Sequence, residues 1–218
     1  VKEIYDIAVV GAGFSGSLLA MIARRLGRSV VLLERQKHPR FAIGESSTPL
    51  ANLLLEELAT QYDLPNLLPL TKWGSWQRSY PEIGCGLKRG FSFYHHILDR
   101  PYAASHERSN QLMVAASPHD GVADTHWYRP DFDHFFVREA ESLGTDYYDE
   151  VTLADLTRNE EISTISGRRL GRAFRVNARF VVDATGPRGF LHRTLGLDEA
   201  SFSRLPRTES LYTHFSHV

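Results

Sequence analysis

The 218-residue sequence has a single cysteine, Cys85. No intrachain disulfide is possible, so the core alone must hold the fold, and the usage fits a reducing cytoplasm. Lysine is nearly as scarce. Lys2, Lys37, Lys72 and Lys88 are the four present, and the rest of the 25 basic side chains are arginine. A lysine inside a motif therefore carries unusual weight. No run of about 18 apolar residues occurs, so no transmembrane helix is expected. No basic stretch precedes the first apolar run, so no secretion signal is expected either. The net charge of −1 lacks the basic excess that nucleic acid or an anionic membrane surface would require. Ten histidines are present, but no His-Glu-x-x-His spacing accompanies them. The adjacent His95 and His96 would point to opposite faces of a strand. No metal site is expected, and no repeat or low-complexity segment occurs.

At 42% hydrophobic and 23% charged residues, the chain reads as one sizeable globular domain, or a domain with a smaller lobe. Residues 4–10 (IYDIAVV) form an apolar, β-branched run suited to a buried parallel strand. Residues 14–26 then carry apolar side chains at helical spacing, and Gly27 supplies a stop. Residues 29–33 (SVVLL) form a second buried strand that closes at Glu34. The turn between the first strand and the helix is GAGFSG. Its Gly11 permits a tight turn, Gly13 lets backbone approach a pyrophosphate, and Gly16 lets helix and strand pack closely. The free N–H groups and positive dipole end of the helix would face the phosphates. Glu34, 18 residues after Gly16, is placed to accept from ribose hydroxyls. The unit points to NAD or FAD without choosing between them.

Farther along, a helix is expected at 50–61, irregular chain at 65–86, a strand or hairpin at 87–98, and a long loop at 99–124. A short strand at 125–128 precedes a helix at 129–143, with Pro130 in its first turn. Short strands joined by turns such as RNEE and SGRR fill 146–171. A strand pair or one long strand covers 174–184, a short helix 190–195, and a strand begins at 210–218. Three stretches could carry chemistry. In IGESSTP (43–49), Gly44 lets backbone pass close to a flat ring, and Ser46, Ser47 and Thr48 offer hydroxyls; a plain helix-capping loop is the alternative. In RPDFD (129–133), Arg129 could meet a phosphate or ribityl oxygen, or the acids could simply serve the helix N-terminus. In VVDATG (181–186), a buried strand delivers Asp183 and Gly186 to its C-terminal tip, where open α/β sheets bind ligands. In GLKRGFSFY (86–94), Lys88 is either a solvated strand lysine beside Arg89 or a desolvated amine. Core packing is the favoured role for Phe91, Phe93 and Tyr94, with an aromatic-substrate pocket as the alternative.

In this order the stretches resemble the FAD-dependent monooxygenase and halogenase superfamily, of the p-hydroxybenzoate hydroxylase and glutathione reductase fold type. The likeness is strongest to the flavin-dependent halogenases, and it spans residues 11–186. It implies FAD as cofactor and an α/β fold: a Rossmann-like parallel sheet, a β-meander over 151–179 that crosses the sheet, and an inserted substrate-facing β region. Residues 1–50 and 129–200 would form the FAD core, with 51–128 inserted. Gly11, Gly13, Gly16 and Glu34 would hold the ADP half, and Phe14, Ser15 and Arg35 would also bind the cofactor. Gly44, Glu45 and Ser46 would lie beside the isoalloxazine, and Arg129, Asp183 and Gly186 would serve the remainder. Lys88 lies in a Lys-x-Gly-x-x-Phe pattern similar to that of phenolic-type halogenases; the tryptophan-type spacing is not met, because Ser92 precedes Phe93. The resemblance implies that reduced FAD and O₂ oxidise halide, or hydroxylate a small organic substrate, and that Lys88 is catalytic, holding the oxidised halogen near that substrate. A separate flavin reductase is expected, since no second nucleotide fingerprint is present. The family's Trp-x-Trp-x-Ile-Pro and late Gly-Asp motifs are absent, so the chain is expected to be the N-terminal part of a larger flavoprotein. An FAD-dependent dehydrogenase or prenyl-chain reductase of the same superfamily is the alternative, with a non-catalytic flavin-binding remnant as a third reading.

Overall fold

In a computed structural model, which describes residues 3–187, 189–200, 204–205 and 208–214, the first apolar run forms strand β1 (Tyr5–Val10). Helix α1 (Phe14–Arg25) follows, burying Gly16, Ser17, Ala20, Met21 and Ala23 at helical spacing. It stops where Gly27 takes φ +75°, which costs glycine little. Strand β2 (Val30–Leu33) is buried along its whole length. Helix α2 (Pro49–Gln61) is capped by Thr48, whose side chain accepts the Ala51 N–H, with Pro49 in the first turn.

The stretch expected to be irregular holds a 3-10 segment (Pro65–Thr71) and a short helix α3 (Trp73–Ser79). Tertiary packing accounts for α3: Trp76 is fully buried, stacks on Phe132 at 5.5 Å, and donates its indole N–H to the Ile83 carbonyl at 2.9 Å. Residues 87–98 do not fold on themselves. Strand β3 (Cys85–Lys88) and strand β4 (Gly90–Tyr94) separate at Arg89 and enter different two-stranded sheets. Gly90 is required there, because a Cβ would lie 1.9 Å from the Val114 carbonyl oxygen. The expected long loop supplies the partner of β4, strand β5 (Gln111–Ala115). Strand β6 (Asp124–Trp127) pairs antiparallel with β3 and leads into helix α4 (Arg129–Ser142).

Strands β7 (Asp146–Tyr148), β8 (Val151–Arg158), β9 (Ser163–Arg169) and β10 (Arg172–Asp183) complete the main sheet, and helix α5 (Phe190–Thr194) follows. The sheet order is β7-β2-β1-β10-β9-β8. Strands β7, β2, β1 and β10 run parallel, whereas β8, β9 and β10 form an antiparallel meander. The meander thus extends the sheet rather than crossing over it. SGRR lies inside β9; the reversal falls on Leu170 and Gly171, both at positive φ (49° and 77°), as a tight two-residue hairpin turn demands. Residues 210–214 are not in a strand, and 215–218 of that expectation lie outside the described residues.

Apolar side chains fill both faces of the sheet. One cluster joins Val9, Met21 and Leu32 to Trp76, Phe132 and Phe136. The other joins Tyr5, Val31 and Leu33 to Ile165, Val176 and Phe190. The C-terminal tips of β1, β2 and β10 meet at one edge: the Gly11 N–H donates to the Leu33 carbonyl at 2.8 Å, and the Ala184 N–H to the Val10 carbonyl at 2.7 Å. Among the described residues no helix is long and apolar enough to cross a membrane.

Candidate functional site

At that edge lies a cleft of about 660 Å³, lined by Gly11, Gly13, Phe14, Ser15, Glu34, Arg35, Arg129 and the 184–187 turn, among others. This falls within the usual range of ligand pockets. The glycine turn takes its shape from close packing. A Cβ at Gly11 would lie 2.6 Å from the Ala184 carbonyl oxygen, and one at Gly16 would lie 2.0 Å from the Gly11 carbonyl oxygen. Gly13 begins α1 with no side-chain cap, and the first turn carries no acid. The free N–H groups of that turn and its positive dipole end are therefore left for an anion. Glu34 is nearly buried, and three of about four acceptor positions on its carboxylate are taken. One oxygen accepts the Ala12 N–H and an Arg40 N–H, both at 3.1 Å, and the other accepts the Gln36 N–H at 3.0 Å.

A four-charge network brings Glu34, Arg40 and Arg129 to the cleft wall, with Asp133 fully buried. Arg129 is bidentate to Asp133, Nε at 2.7 Å and Nη2 at 2.8 Å, one helical turn along α4. Its Nη1 donates to the carbonyls of Ile43 at 2.8 Å and Gly44 at 3.0 Å. Arg40 bridges the two acids, contacting Glu34 at 3.1 Å and Asp133 at 3.6 Å. Two cations and two anions balance, and beside them burial pushes the His38 imidazole towards its neutral form, with the Arg40 charge adding to the effect. His38 Nδ1 lies 2.7 Å from the Tyr147 hydroxyl. The Arg129 side chain is thus largely used by the protein itself: it anchors the 43–44 backbone, where Gly44 adopts φ +96°.

The same loop continues to the lysine. Its next residues run alongside β6: the Trp127 N–H donates to the Glu45 carbonyl at 2.7 Å, and Ser47 Oγ donates to the Thr125 carbonyl at 2.7 Å. Lys88 is only 5% exposed. Its ammonium donates to Ser46 Oγ at 2.7 Å and to the Ser47 carbonyl, and lies 4.2 Å from the centre of the Phe91 ring. Burial pulls the Lys88 pKa below the ordinary lysine value, and Asp124 opposes that fall. The solvated-lysine alternative does not hold. Core packing fails for two of the three aromatics, since Phe93 and Tyr94 are more than half exposed.

Other expected positions stand one step back. Asp183 spends its carboxylate on the turn after β10, accepting from the Thr185 N–H at 3.0 Å and the Leu191 N–H at 2.6 Å, so it shapes the turn and starts α5. Gly186, at φ +90°, lines the cleft. The Glu45 carboxylate lies 2.8 Å from His214 Nε2. Arg35 is exposed at the rim, where the cleft continues into a groove over Arg168–Gly171. Cys85 is half-buried, and burial pushes its thiol up to about 11, which leaves it inert at neutral pH. The sequence reading missed Arg40, Asn52 and Asp124. Only the neighbourhood of Arg40, between β2 and GESS, offered a signal.

Three comparisons bear on this geometry. The sequence profile of the FAD dependent oxidoreductase family matches residues 6–212. The chain is 28% identical to monodechloroaminopyrrolnitrin halogenase PrnC of Pseudomonas fluorescens over 217 residues, covering 98% of this chain and 36% of that protein. It is also 28% identical to tetracycline 7-halogenase of Kitasatospora aureofaciens, covering 98% of this chain and 37% of that protein. The crystal structure of halogenase PltM in complex with phloroglucinol and FAD superposes with a TM-score of 0.77 at 27% identity, covering 88% of this chain and 36% of that one. The chain therefore spans about a third of the length of the curated relatives it matches.

Proposed function

Since the chain belongs to the FAD dependent oxidoreductase family, we propose that the cleft holds FAD and that the protein oxidises halide for transfer to a small aromatic substrate. The uncapped, acid-free start of α1 suits the diphosphate, with Gly11, Gly13, Phe14 and Ser15 forming its cradle and Gly16 packed behind on the Gly11 carbonyl. Glu34 keeps one acceptor position for a ribose hydroxyl, with Arg35 at the rim. Gly44, Glu45 and Ser46 would lie on the ring side, Arg129 would hold their loop, and Asp183 and Gly186 would set the facing turn.

One observation carries the halogenase reading: the loop whose residues 41–43 line the cleft holds the buried Lys88 with its next residues, Ser46 and Ser47. Reduced FAD in air supplies the oxidising power that converts halide to hypohalous acid. The Lys88 ammonium, aimed by two acceptors, would donate a hydrogen bond to the oxygen of that acid. The halogen then bonds to a ring carbon, the ring proton is lost, and the oxygen leaves as water. Phe91 beside the ammonium offers an apolar wall to an aromatic ring. The phloroglucinol bound by PltM supports a phenol-like substrate class. The reducing equivalents would come from a separate flavin reductase.

The test is to supply the protein with reduced FAD, admit air, and trap released oxidant with a dye. With catalase present to remove peroxide, hypohalous acid should form with bromide or chloride and not without. Reoxidation of bound flavin in the presence of halide with no hypohalous acid formed would overturn the reading in favour of hydroxylation or double-bond reduction.

A further inference from the structure

Strand register places one more ionisable side chain at the lysine. Lys88 and Asp124 are direct partners in the antiparallel β3–β6 pair, so their side chains leave the ribbon on the same face. Both are nearly buried, at 5% and 6% exposure. Asn52, from α2 and equally buried, donates its amide to Asp124 Oδ1 at 2.8 Å. The other carboxylate oxygen, Oδ2, is buried with no hydrogen-bond partner among the described residues. The two acceptors that hold Lys88, a hydroxyl and a carbonyl, are both uncharged. A buried anion and a buried cation thus share one face of a two-stranded ribbon, each without a contacting counter-ion among the described residues, and isolated burial of either charge is strongly unfavourable.

We propose that Asp124, fixed by Asn52, is a positioning residue for Lys88: its buried charge keeps the lysine an ammonium, seated against Ser46 and Ser47. The consequence for catalysis rests on the halogenase reading, whereas the test below does not. The other ionisable groups around Lys88 do not supply this charge. His126, two residues along β6, is held towards its neutral form by burial and by the Lys88 charge itself. Glu45, from the loop, is paired with His214. Arg89, the next residue on the chain, is paired with Asp120 at 2.6 Å. Among the described residues, α2 brings the uncharged Asn52 to Asp124 and β4 brings Phe91 to the Lys88 ammonium.

The scarcity of lysine makes the proposal directly measurable. Protein labelled with carbon-13 at lysine Cε carries four signals, and Lys88→Met identifies the one that matters. Each is followed against pH. Asp124→Asn should lower the Lys88 midpoint by about one pH unit, the lower end of the effect of a nearby opposite charge, and Asp124→Glu should restore most of it. In the unaltered protein labelled separately at aspartate Cγ, the Asp124 signal should show an inflection at the Lys88 midpoint, and this decides the matter if Asp124→Asn fails to fold. A Lys88 midpoint unmoved in folded Asp124→Asn, or no inflection at Asp124, would overturn the proposal. Halogenation by an ammonium falls as pH rises through the Lys88 midpoint, so Asp124→Asn should move that fall to lower pH by the same amount. A moved midpoint without a moved activity profile would remove the catalytic role of Lys88 and leave the role of Asp124 standing.

Discussion

Asp133→Ala is expected to destabilise the protein by about 3–5 kcal/mol, the usual result of stripping one partner from a buried ion pair. For a chain of this size that lowers the melting temperature by roughly 6–20 °C. Asp133 is fully buried and meets Arg129 through both carboxylate oxygens, with Arg40 at 3.6 Å. Alanine leaves the Arg129 guanidinium with only the Ile43 and Gly44 carbonyls, and Arg40 with only Glu34, which already accepts two backbone N–H groups. The loss should extend beyond stability, because the same Arg129 holds the 43–44 carbonyls at the cleft. Thermal melts and flavin retention should therefore fall together. Replacing Arg129 and Asp133 jointly by apolar residues should be milder, since no unpaired charge is then buried. A melt of Asp133→Ala unchanged from the parent would remove the network from any structural role.

Lys88→Met should reduce halogenated product by a factor of about 100 or more, the range seen when a group that donates to a reacting oxygen is lost. Flavin oxidation by O₂ should change little, because Lys88 contacts the loop through Ser46 and Ser47 rather than the glycine turn. Methionine matches the length of the stem and fills the space beside Phe91. The acceptors left behind would cost about 1–3 kcal/mol, which melting curves can separate from the loss of product. Oxidant released into solution while product disappears is the expected signature. Product that persists in the variant would show that the halogen reaches the substrate without this amine.

The first strand–turn–helix–strand unit is legible because local rules agree: apolar strands, helical spacing from Leu18 to Leu26, and glycines where backbone must pass backbone. Helix α4 is legible for similar reasons, with Pro130 at its start and Phe132, Phe136 and Ala140 on one buried face. The region from 65 to 115 was not. Pro69, Trp73 and Gly74 obscure α3, which exists because Trp76 packs on Phe132 from a distant segment. Strand β4 finds its partner in β5 across a 16-residue connection, and no local pattern announces that register. The site divides in the same way. Lys88 and Ser46 were each readable, but their contact joins residues 42 apart. The Arg129–Asp133 pair, one helical turn apart, was open to reading from spacing alone. Asn52 and Asp124 had no signal, because they meet only once α2 and β6 are packed.

The most direct measurement follows the four lysine Cε signals while FAD is added, with quenching of flavin fluorescence as the independent measure of binding. If one loop joins the cofactor cleft to the lysine, the Lys88 signal should shift in proportion to bound FAD. The signal of Lys72, which is paired with Glu56 at 3.0 Å and absent from the cleft lining, should stay in place. Bound FAD with the Lys88 signal unmoved would contradict that link, and with it the halogenase reading.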